Sequence, residues 1–161
     1  IGWWCPVTRG IIPLDGLQIS RSLQKHLKRF SIRVDSCFAQ VMKACGDSRR
    51  PHGWINVDFI RAYSHLHAMG WAHSVEVFSG DDLVGGVYGV RVGKLFAGES
   101  MFHTQTDASK AALVALVALL DAVGITLFDV QWTTPHLTSL GAIDIPREEY
   151  LALLAQAQNR N

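Results

Sequence analysis

Three polar side chains in otherwise apolar segments are the residues of this chain best suited to chemistry. Glu99 stands among small and apolar residues at 95–102, and a carboxylate in such surroundings needs a partner or a function. Asp129 and Gln131 stand at positions i and i+2 of the apolar segment 127–131, which places both on one face of a strand. A carboxylate can bind an ammonium group or take a proton, whereas an amide can hold a carbonyl or an amine but is a poor base. Two buried strands that each present polar groups to one side predict a site.

The surrounding pattern predicts a run of strands with one long helix among them. Ala, Leu and Val fill residues 107–123 almost continuously, which is typical of a buried helix, and Gly124 would end it. Glycines in the central strand would let a backbone come close to a ligand. The predicted strands are 71–78, 83–92, 95–97 and 125–131, with turns at 80–82 and 93–94.

The flanking segments predict further helices. Ser20 is suited to cap a helix over 21–30, and Asn56 to cap a helix that runs to Met69 and is closed by Gly70. Other helices are predicted at 37–45, at 138–140 and from Pro146, in the first helical position, to about 156, with a short strand at 32–34. Helices, an antiparallel hairpin, a buried helix, a strand and a helix together indicate an α+β fold.

A set of motifs in fixed order gives the chain a resemblance to a known family. The motifs are Gly-Gly-x-Tyr-Gly-Val at 85–90, Leu-Phe-x-Gly-Glu-Ser-Met-Phe at 95–102, Ala-Ser-Lys-x-Ala-Leu at 108–113, Asp-x-Gln at 129–131 and Ser-Leu-Gly-Ala at 139–142. Trp-Trp-x-Pro at 3–6, Ile-Ser-Arg-Ser at 19–22, Trp-Ile at 54–55 and Ile-Pro-Arg at 145–147 extend the match over nearly the whole chain. In their order and spacing these motifs resemble the leucyl/phenylalanyl-tRNA–protein transferase family.

The resemblance implies an acyltransferase fold of the acetyltransferase superfamily, with a mixed sheet flanked by helices. It implies transfer of Leu or Phe, and of Met as a further donor, from aminoacyl-tRNA to proteins that begin with Arg or Lys, which marks them for degradation. The pyrophosphate-binding loop typical of acetyl-CoA enzymes is missing from the sequence, so acetyl-CoA is not the expected donor. An aminoacyl ester is already activated, and we expect no cofactor and no metal.

The resemblance also assigns roles to the three polar residues. It implies that Asp129 and Gln131 are a catalytic pair, with the amide holding the ester carbonyl or the amine and the carboxylate polarising it or carrying charge. Glu99 would bind an ammonium group of the substrate or help to move its proton, and Ser100 would donate a hydrogen bond rather than act as a nucleophile.

By position, the family's pocket for the donor side chain corresponds to a set of apolar residues. The set is Val87, Phe96, Met101, Leu113, Leu116, Leu120 and Phe128. Val87 stands where the family usually has Met, and Leu116 and Leu120 stand where Phe is common, so the preference among Leu, Phe and Met stays open. Apolar residues on a buried helix are also simply what a core requires.

Two further features point to tRNA. The resemblance implies that Trp54 packs against the terminal adenosine, although a core position would explain a Trp equally well. The helix that begins after Ser20 carries four basic residues without neighbouring acids, which predicts contact with the acceptor-stem backbone rather than readout of bases. These residues are Arg21, Lys25, Lys28 and Arg29.

Composition limits the other possibilities. The 161 residues are 48% hydrophobic with a net charge of +1, so the chain is long enough for a core and has no global field that attracts nucleic acid. Three cysteines without metal spacing indicate a reducing compartment, and the apolar run 111–120 is too short to span a bilayer. We expect a single cytoplasmic domain over 1–161, without the small amino-terminal region and the tail of the resembling family, and no contact with membranes.

Departures from the family pattern leave two other functions open. Thr134, followed by Pro135, stands where the family usually has Asn, in a loop expected to border the acceptor. The same donor chemistry could therefore serve a small-molecule amine. A non-catalytic module that binds tRNA or protein is the other alternative, and the presence of Glu99, Asp129 and Gln131 argues against it.

Overall fold

A computed structural model describes residues 6–47 and 54–158 of the chain. The Trp-Trp motif at 3–4, Cys5 and most of the polar loop after Gly46 lie outside the described residues. The elements in chain order are β1 (Thr8–Ile11), α1 (Arg21–Leu27), β2 (Ser31–Val34), α2 (Phe38–Cys45), α3 (Val57–Ala68), β3 (Ala72–Ser79), β4 (Asp82–Val92), β5 (Leu95–His103), α4 (Ala108–Ala122), β6 (Leu127–Gln131), α5 (Pro135–Thr138), β7 (Ile143–Pro146) and α6 (Arg147–Gln158).

The strands within the described residues form a seven-stranded mixed sheet in the order β2-β3-β4-β5-β6-β1-β7. Strand β3 is antiparallel to both β2 and β4, β5 and β6 are parallel, and β1 is antiparallel to both β6 and β7. Helices α1–α3 precede the long central strands and α4 joins the parallel pair. This arrangement confirms the predicted α+β class with a mixed sheet.

Two compact units divide these elements. The first unit consists of Ile1–Gln18, Val92–Gly98 and Val117–Asn161, and the second of Ile19–Arg91 and Glu99–Leu116. Asp129 and Gln131 therefore belong to the first unit and Glu99 to the second.

The first unit has its core around β1, β6, β7 and α6. Ile11, Leu95, Leu127, Ile145 and Ala157 are buried together there. Each comes from a different element, so strands that are far apart in sequence share one apolar cluster.

The second unit has its core where α2 and α3 meet the long strands. Phe38 and Met42 of α2 pack with Tyr88 of β4 in this cluster. A Cβ on Gly85 would come within 2.7 Å of the Cβ of Ala108. The absence of a side chain at Gly85 therefore lets α4 approach β4 closely.

Several predicted helix ends are confirmed. The Ser20 hydroxyl accepts from the backbone N–H of Leu23 at 3.2 Å, and Asn56 accepts from two N–H groups of the first turn of α3. Gly70 and Gly124 follow α3 and α4 with φ of +77° and +73°, the left-handed conformation that ends helices.

Other expectations were wrong. Helix α1 ends at Leu27 with Lys28 as its cap, so Lys28 and Arg29 follow the helix instead of lying on it. Strand β5 continues to His103, because residues 98–103 still form sheet structure, and Glu99 therefore lies inside the strand. The short helix begins at Pro135 with Thr134 as its cap, not at Thr138.

Two short strands were not predicted from the sequence. β1 and β7 have four residues each, which is too short for a clear alternation of apolar and polar residues. Pro146 ends β7 rather than opening α6. The strand lies at the edge of the sheet, where a residue without an N–H is tolerated.

Candidate active site

Asp129 is a buried carboxylate of the first unit that accepts several hydrogen bonds. It is 2% exposed, and Arg9 contacts both of its oxygens, with Nε donating to Oδ1 at 2.9 Å and Nη2 donating to Oδ2 at 2.8 Å. The Tyr150 hydroxyl donates to Oδ2 at 2.7 Å, and the backbone N–H of Gln131 donates to Oδ1 at 2.7 Å. A buried carboxylate is stable only when it is paired and hydrogen-bonded in this way.

This ion pair changes the titration of its partners. Burial acts to lower the pKa of Arg9, but the hydrogen bond and the charge of Asp129 outweigh burial and raise it. Burial raises the pKa of Tyr150, and the hydrogen bond and charge of Asp129 raise it further. Both groups therefore remain protonated at neutral pH and continue to donate to Asp129.

Gln131 has a strained backbone. Its φ is +71°, in the left-handed region that favours glycine. The pairing between β1 and β6 shifts register here. Gly10 pairs with Gln131, whereas the next residue of β1, Ile11, pairs with Asp129. β6 therefore has one extra residue at this point, and such bulges redirect side chains.

Gly10 makes room for this turn. A Cβ at Gly10 would come within 2.6 Å of the carbonyl carbon of Trp132, so only glycine lets the chain after Gln131 fold across β1. The side-chain amide of Gln131 donates to the carbonyl oxygen of Gly98 at 3.3 Å. Gly98 directly follows the residues of β5 that pair with β6. The turn and the amide contact together hold Gln131 half-buried at the end of its strand.

Glu99 belongs to the second unit, where two tyrosines accompany it. The Tyr63 hydroxyl hydrogen-bonds to Glu99, and burial followed by the charge of Glu99 raises the pKa of Tyr63. The rings of Tyr63 and Tyr88 meet edge to face at 5.5 Å. Burial also raises the pKa of Tyr88, with smaller contributions from Cys45, Tyr63 and Glu99. Glu99 thus carries a carboxylate among protonated phenols and aromatic rings.

Trp54 is not a core residue. It is 43% exposed and meets the ring of Phe59, itself 41% exposed, edge to face at 5.1 Å. An exposed ring held by a second aromatic ring offers a face on which a base can stack.

The apolar residues predicted to line a pocket divide between the two units. Val87, Leu113 and Leu116 are buried in the second unit, where Met101 is half-buried. In the first unit Leu120 is buried, and Phe96 and Phe128 meet edge to face at 5.9 Å. All except Met101 also serve as core. Ser100 is half-buried in β5.

The four basic residues predicted to contact tRNA lie in and directly after α1. Arg21 and Lys25 lie on the helix, and Lys28 and Arg29 follow it. All four are exposed. Asp107 approaches this helix and pairs with His26 at 2.6 Å. The charge of the four exposed cations therefore faces solvent.

The partners of the site carboxylates could not be predicted from the sequence. Arg9 and Tyr150 stand 120 and 21 residues from Asp129 in the chain. Tyr63 contacts Glu99 in space but belongs to a helix that is far from Glu99 in the sequence. The one available signal was physical: a carboxylate placed in a buried strand requires a cation.

Glu76 is a second buried carboxylate that the sequence did not single out. It accepts from the hydroxyls of Ser36 and Ser74 and from backbone N–H groups before α2. Burial, with the charge of Glu76, raises the pKa of Cys37, so this thiol is protonated at neutral pH and a poor nucleophile. Glu76 thus organises the start of α2.

The described residues contain no group of three or more His, Cys, Asp or Glu side chains arranged to hold a metal ion. Within the same part of the chain, no helix is both long enough and apolar enough to cross a membrane.

Solved structures with the same architecture identify the fold. FemX superimposes with a TM-score of 0.59 at 11% identity, covering 92% of this chain and 64% of that chain. L-PGS from Bacillus licheniformis gives 0.54 at 11% identity, covering 96% and 65%, and an aminoglycoside acetyltransferase from an uncultured soil metagenomic sample gives 0.53 at 9% identity, covering 83% and 89%. The chain shares its fold with these structures, the acetyltransferase-like fold that the sequence predicted.

Comparison with related sequences defines the class of protein more narrowly than the fold does. A family profile described as leucyl/phenylalanyl-tRNA protein transferase matches residues 11–155. A relative of that name from Cereibacter sphaeroides is 54% identical over 159 residues, 98% of this chain and 73% of the relative. Another from Herpetosiphon aurantiacus is 51% identical, covering 98% and 83%, and one from Tolumonas auensis is 48% identical, covering 99% and 70%. Fold and relatives together define an enzyme of the aminoacyltransferase class. The chain belongs to the leucyl/phenylalanyl-tRNA–protein transferase family.

Proposed function

We propose that this chain transfers Leu or Phe, with Met as a further donor, from aminoacyl-tRNA to the α-amine of proteins that begin with Arg or Lys. The product would carry an apolar first residue that marks it for degradation in the cytoplasm. The observation that carries the proposal is the 54% identity to a leucyl/phenylalanyl-tRNA–protein transferase over 98% of the chain.

The reaction is attack of an amine on an ester. The new N–C bond forms as the C–O bond to the ribose breaks, and the amine proton passes to the ribose oxygen. An α-amine has a pKa of about 7.7–8.0, so a sizeable fraction of it is already deprotonated near neutral pH. The enzyme mainly needs to orient the reactants and stabilise charge on the carbonyl oxygen.

In this proposal Gln131 contacts the reacting atoms. Its amide N–H is the donor for the ester carbonyl oxygen, and the contact with Gly98 holds the amide in place before substrate arrives. Asp129 acts through Gln131 as a positioning residue, because its oxygens already accept from Arg9, Tyr150 and the Gln131 backbone.

The remaining predicted residues bind substrates. Glu99 would hold an ammonium group, supported by its place beside Tyr63, and Trp54 would stack the terminal adenosine, supported by its exposure. The cations at 21, 25, 28 and 29 would contact the RNA backbone. The donor side chain would lie against apolar residues of the predicted set, such as Met101.

The proposal is tested by transfer of radiolabelled Leu or Phe from charged tRNA to a peptide that begins with Arg, with an otherwise identical Ala peptide as the control. We expect labelling of the Arg peptide alone. If neither peptide is labelled although charged tRNA still binds, the proposed acceptor is wrong. The same assay would then be run with small-molecule amines as acceptors.

The role of Gln131 is tested by Gln131→Ala. Loss of a donor aimed at a developing oxyanion lowers kcat by about 10²- to 10³-fold, and we expect this with the KM for aminoacyl-tRNA little changed. Gln156→Ala, at an exposed glutamine of α6, is the matched control. Full turnover in Gln131→Ala would show that the site assignment is wrong.

A further inference from the structure

Trp132 is the exposed aromatic residue that follows Gln131. It is 65% exposed, and a single exposed apolar residue on a protein surface is ordinary. The backbone around Trp132 is not ordinary, since several separate features of the first unit fix it. The backbone therefore holds Trp132 at a defined position, directly after the residue predicted to contact the reacting atoms.

Four features hold this segment in place. Gln131 turns the chain with a φ of +71°, and Gly10 leaves the space that the backbone of Trp132 and Thr133 occupies. The N–H of Trp132 donates to the carbonyl of Val130 at 2.9 Å. The Thr133 hydroxyl donates to Oδ2 of Asp144 at 2.8 Å. The indole is thus presented to solvent by a rigid turn that ends at a carboxylate.

Sheet register places Asp144 near Gln131. Gly10 lies opposite Gln131 on one side and opposite Asp144 on the other. Neighbouring strands are about 4.8 Å apart, so Gln131 and Asp144 are separated by about two strand spacings. That distance is comparable to the reach of an extended Arg or Lys side chain whose α-amine lies at Gln131.

We propose that Trp132 and Asp144 form a subsite for the basic first side chain of the acceptor protein. An indole face attracts a guanidinium or ammonium group, and a neighbouring carboxylate adds charge attraction. The inference rests on the proposed function, because it needs an acceptor that begins with Arg or Lys.

The surrounding charges favour a cation over an RNA strand at this place. Glu148 and Glu149 lie in the first turn of α6, directly after β7, and Glu149 is exposed. The cation of the same segment, Arg147, donates through Nε to the carbonyl of Pro6 at 2.8 Å. Carboxylates repel phosphate, so stacking of a tRNA base on Trp132 is the less favoured use of this surface.

The test measures transfer to three peptides that differ only in the first residue: Arg, its uncharged isostere citrulline, and Ala. Trp132→Ala and Asp144→Asn should each raise the KM for the Arg peptide by about two- to fivefold, the range expected for exposed cation–π and ion-pair contacts. They should lower the preference for Arg over citrulline by the same factor and leave the KM for aminoacyl-tRNA unchanged. Trp132→Phe, which keeps an aromatic face, should restore most of the preference that Trp132→Ala removes.

Matched controls separate this effect from general loss of apolar or acidic surface. Trp71→Ala removes another exposed indole, Ile143→Ala removes an exposed apolar side chain beside Asp144, and Asp81→Asn removes an exposed carboxylate from a turn. None of these should change the preference between Arg and citrulline.

The outcomes distinguish the two proposals. If the wild type prefers the Arg peptide and neither Trp132→Ala nor Asp144→Asn changes that preference, the subsite is wrong and the proposed function stands. If Trp132→Ala instead raises the KM for aminoacyl-tRNA, Trp132 belongs to the RNA site and the inference is overturned. If the wild type does not use Arg or Lys peptides, the proposed function fails and the subsite with it.

Discussion

At the scale of single residues, Asp129 shows how one buried charge orders its neighbours. Isolated burial of a carboxylate is strongly unfavourable, and Arg9, Tyr150 and the Gln131 N–H together replace the lost water. The same bonds draw the backbone of Gln131 into a conformation that a non-glycine residue rarely adopts. Stability and the geometry of the predicted reaction centre therefore depend on the same contacts.

Tyr150→Phe tests this coupling. Loss of a hydrogen bond to a charged group should lower the free energy of unfolding by about 1.5 kcal/mol, measured by urea unfolding. We also expect a lower kcat with the KM for aminoacyl-tRNA unchanged, because Gln131 would be held less firmly. An unchanged kcat together with reduced stability would assign Tyr150 a purely structural role.

The pH dependence of that difference has a definite sign. Tyr150 has a pKa raised above its ordinary value of 10.0, so it stays protonated in the folded state while the unfolded chain ionises. The advantage of the wild type over Tyr150→Phe should be constant from about pH 6 to 9 and should shrink as the pH rises above about 10. A difference that already changes below about pH 9 would contradict the proposed hydrogen bonding.

At the scale of elements, the junction of β1 and β6 determines the position of Gln131 and of the loop that follows it. The extra residue in β6 and the missing side chain at Gly10 let the chain cross β1 after Gln131. Thr134 then caps α5, accepting from the N–H of Leu137 at 3.2 Å. A bulge, a glycine and a helix cap thus turn a strand end into a rigid loop.

Gly10→Ala tests the junction. Its Cβ would press on backbone atoms, which cannot rotate away, so we expect lower stability together with loss of most transfer activity. Gly124→Ala is the matched control, because its Cβ would enter open space and the cost would be the left-handed φ alone, about 1–2 kcal/mol. Equal effects of the two variants on kcat would show that the junction does not position the site.

At the scale of the whole molecule, charge is distributed locally rather than globally. The net charge is only +1, yet all four basic residues in and after α1 are exposed. Cations that bind phosphate release counterions, so their contribution to affinity depends on salt concentration.

Arg21→Gln with Lys25→Gln tests the proposed RNA contact. The double variant should weaken tRNA binding and reduce the slope of log affinity against log salt concentration by up to about 0.9 for each phosphate that is no longer neutralised. Lys43→Gln with Arg61→Gln removes the same charge from exposed positions of α2 and α3 and serves as the control. Identical salt slopes for the two double variants would place the RNA elsewhere.

Much of the candidate site could be predicted from the sequence, because polar residues are unusual in apolar strands. Glu99, Asp129 and Gln131 were all found in this way, and the motif order pointed to the family that the comparisons then showed. Ser20 and Asn56 were found as helix caps because capping is a local interaction.

Arg9 and Tyr63 could not be found in the same way. Their partners are distant in the chain, and no local pattern links an arginine in a four-residue strand to a carboxylate 120 residues later. The short strands were missed for a related reason, since β1 is recognised only by its pairing with β6 and β7.

The sequence by itself determined the α+β class, most helix ends, the family and the identity of three candidate site residues, because each depends on local pattern and composition. Only the tertiary structure decided what those residues contact: that Asp129 is engaged by Arg9 and Tyr150, that Gln131 adopts a left-handed turn over Gly10, and that Glu99 lies beside Tyr63. The physical reason is that burial turns a polar side chain into one that must find partners, and the fold supplies those partners from segments that are far apart in the chain.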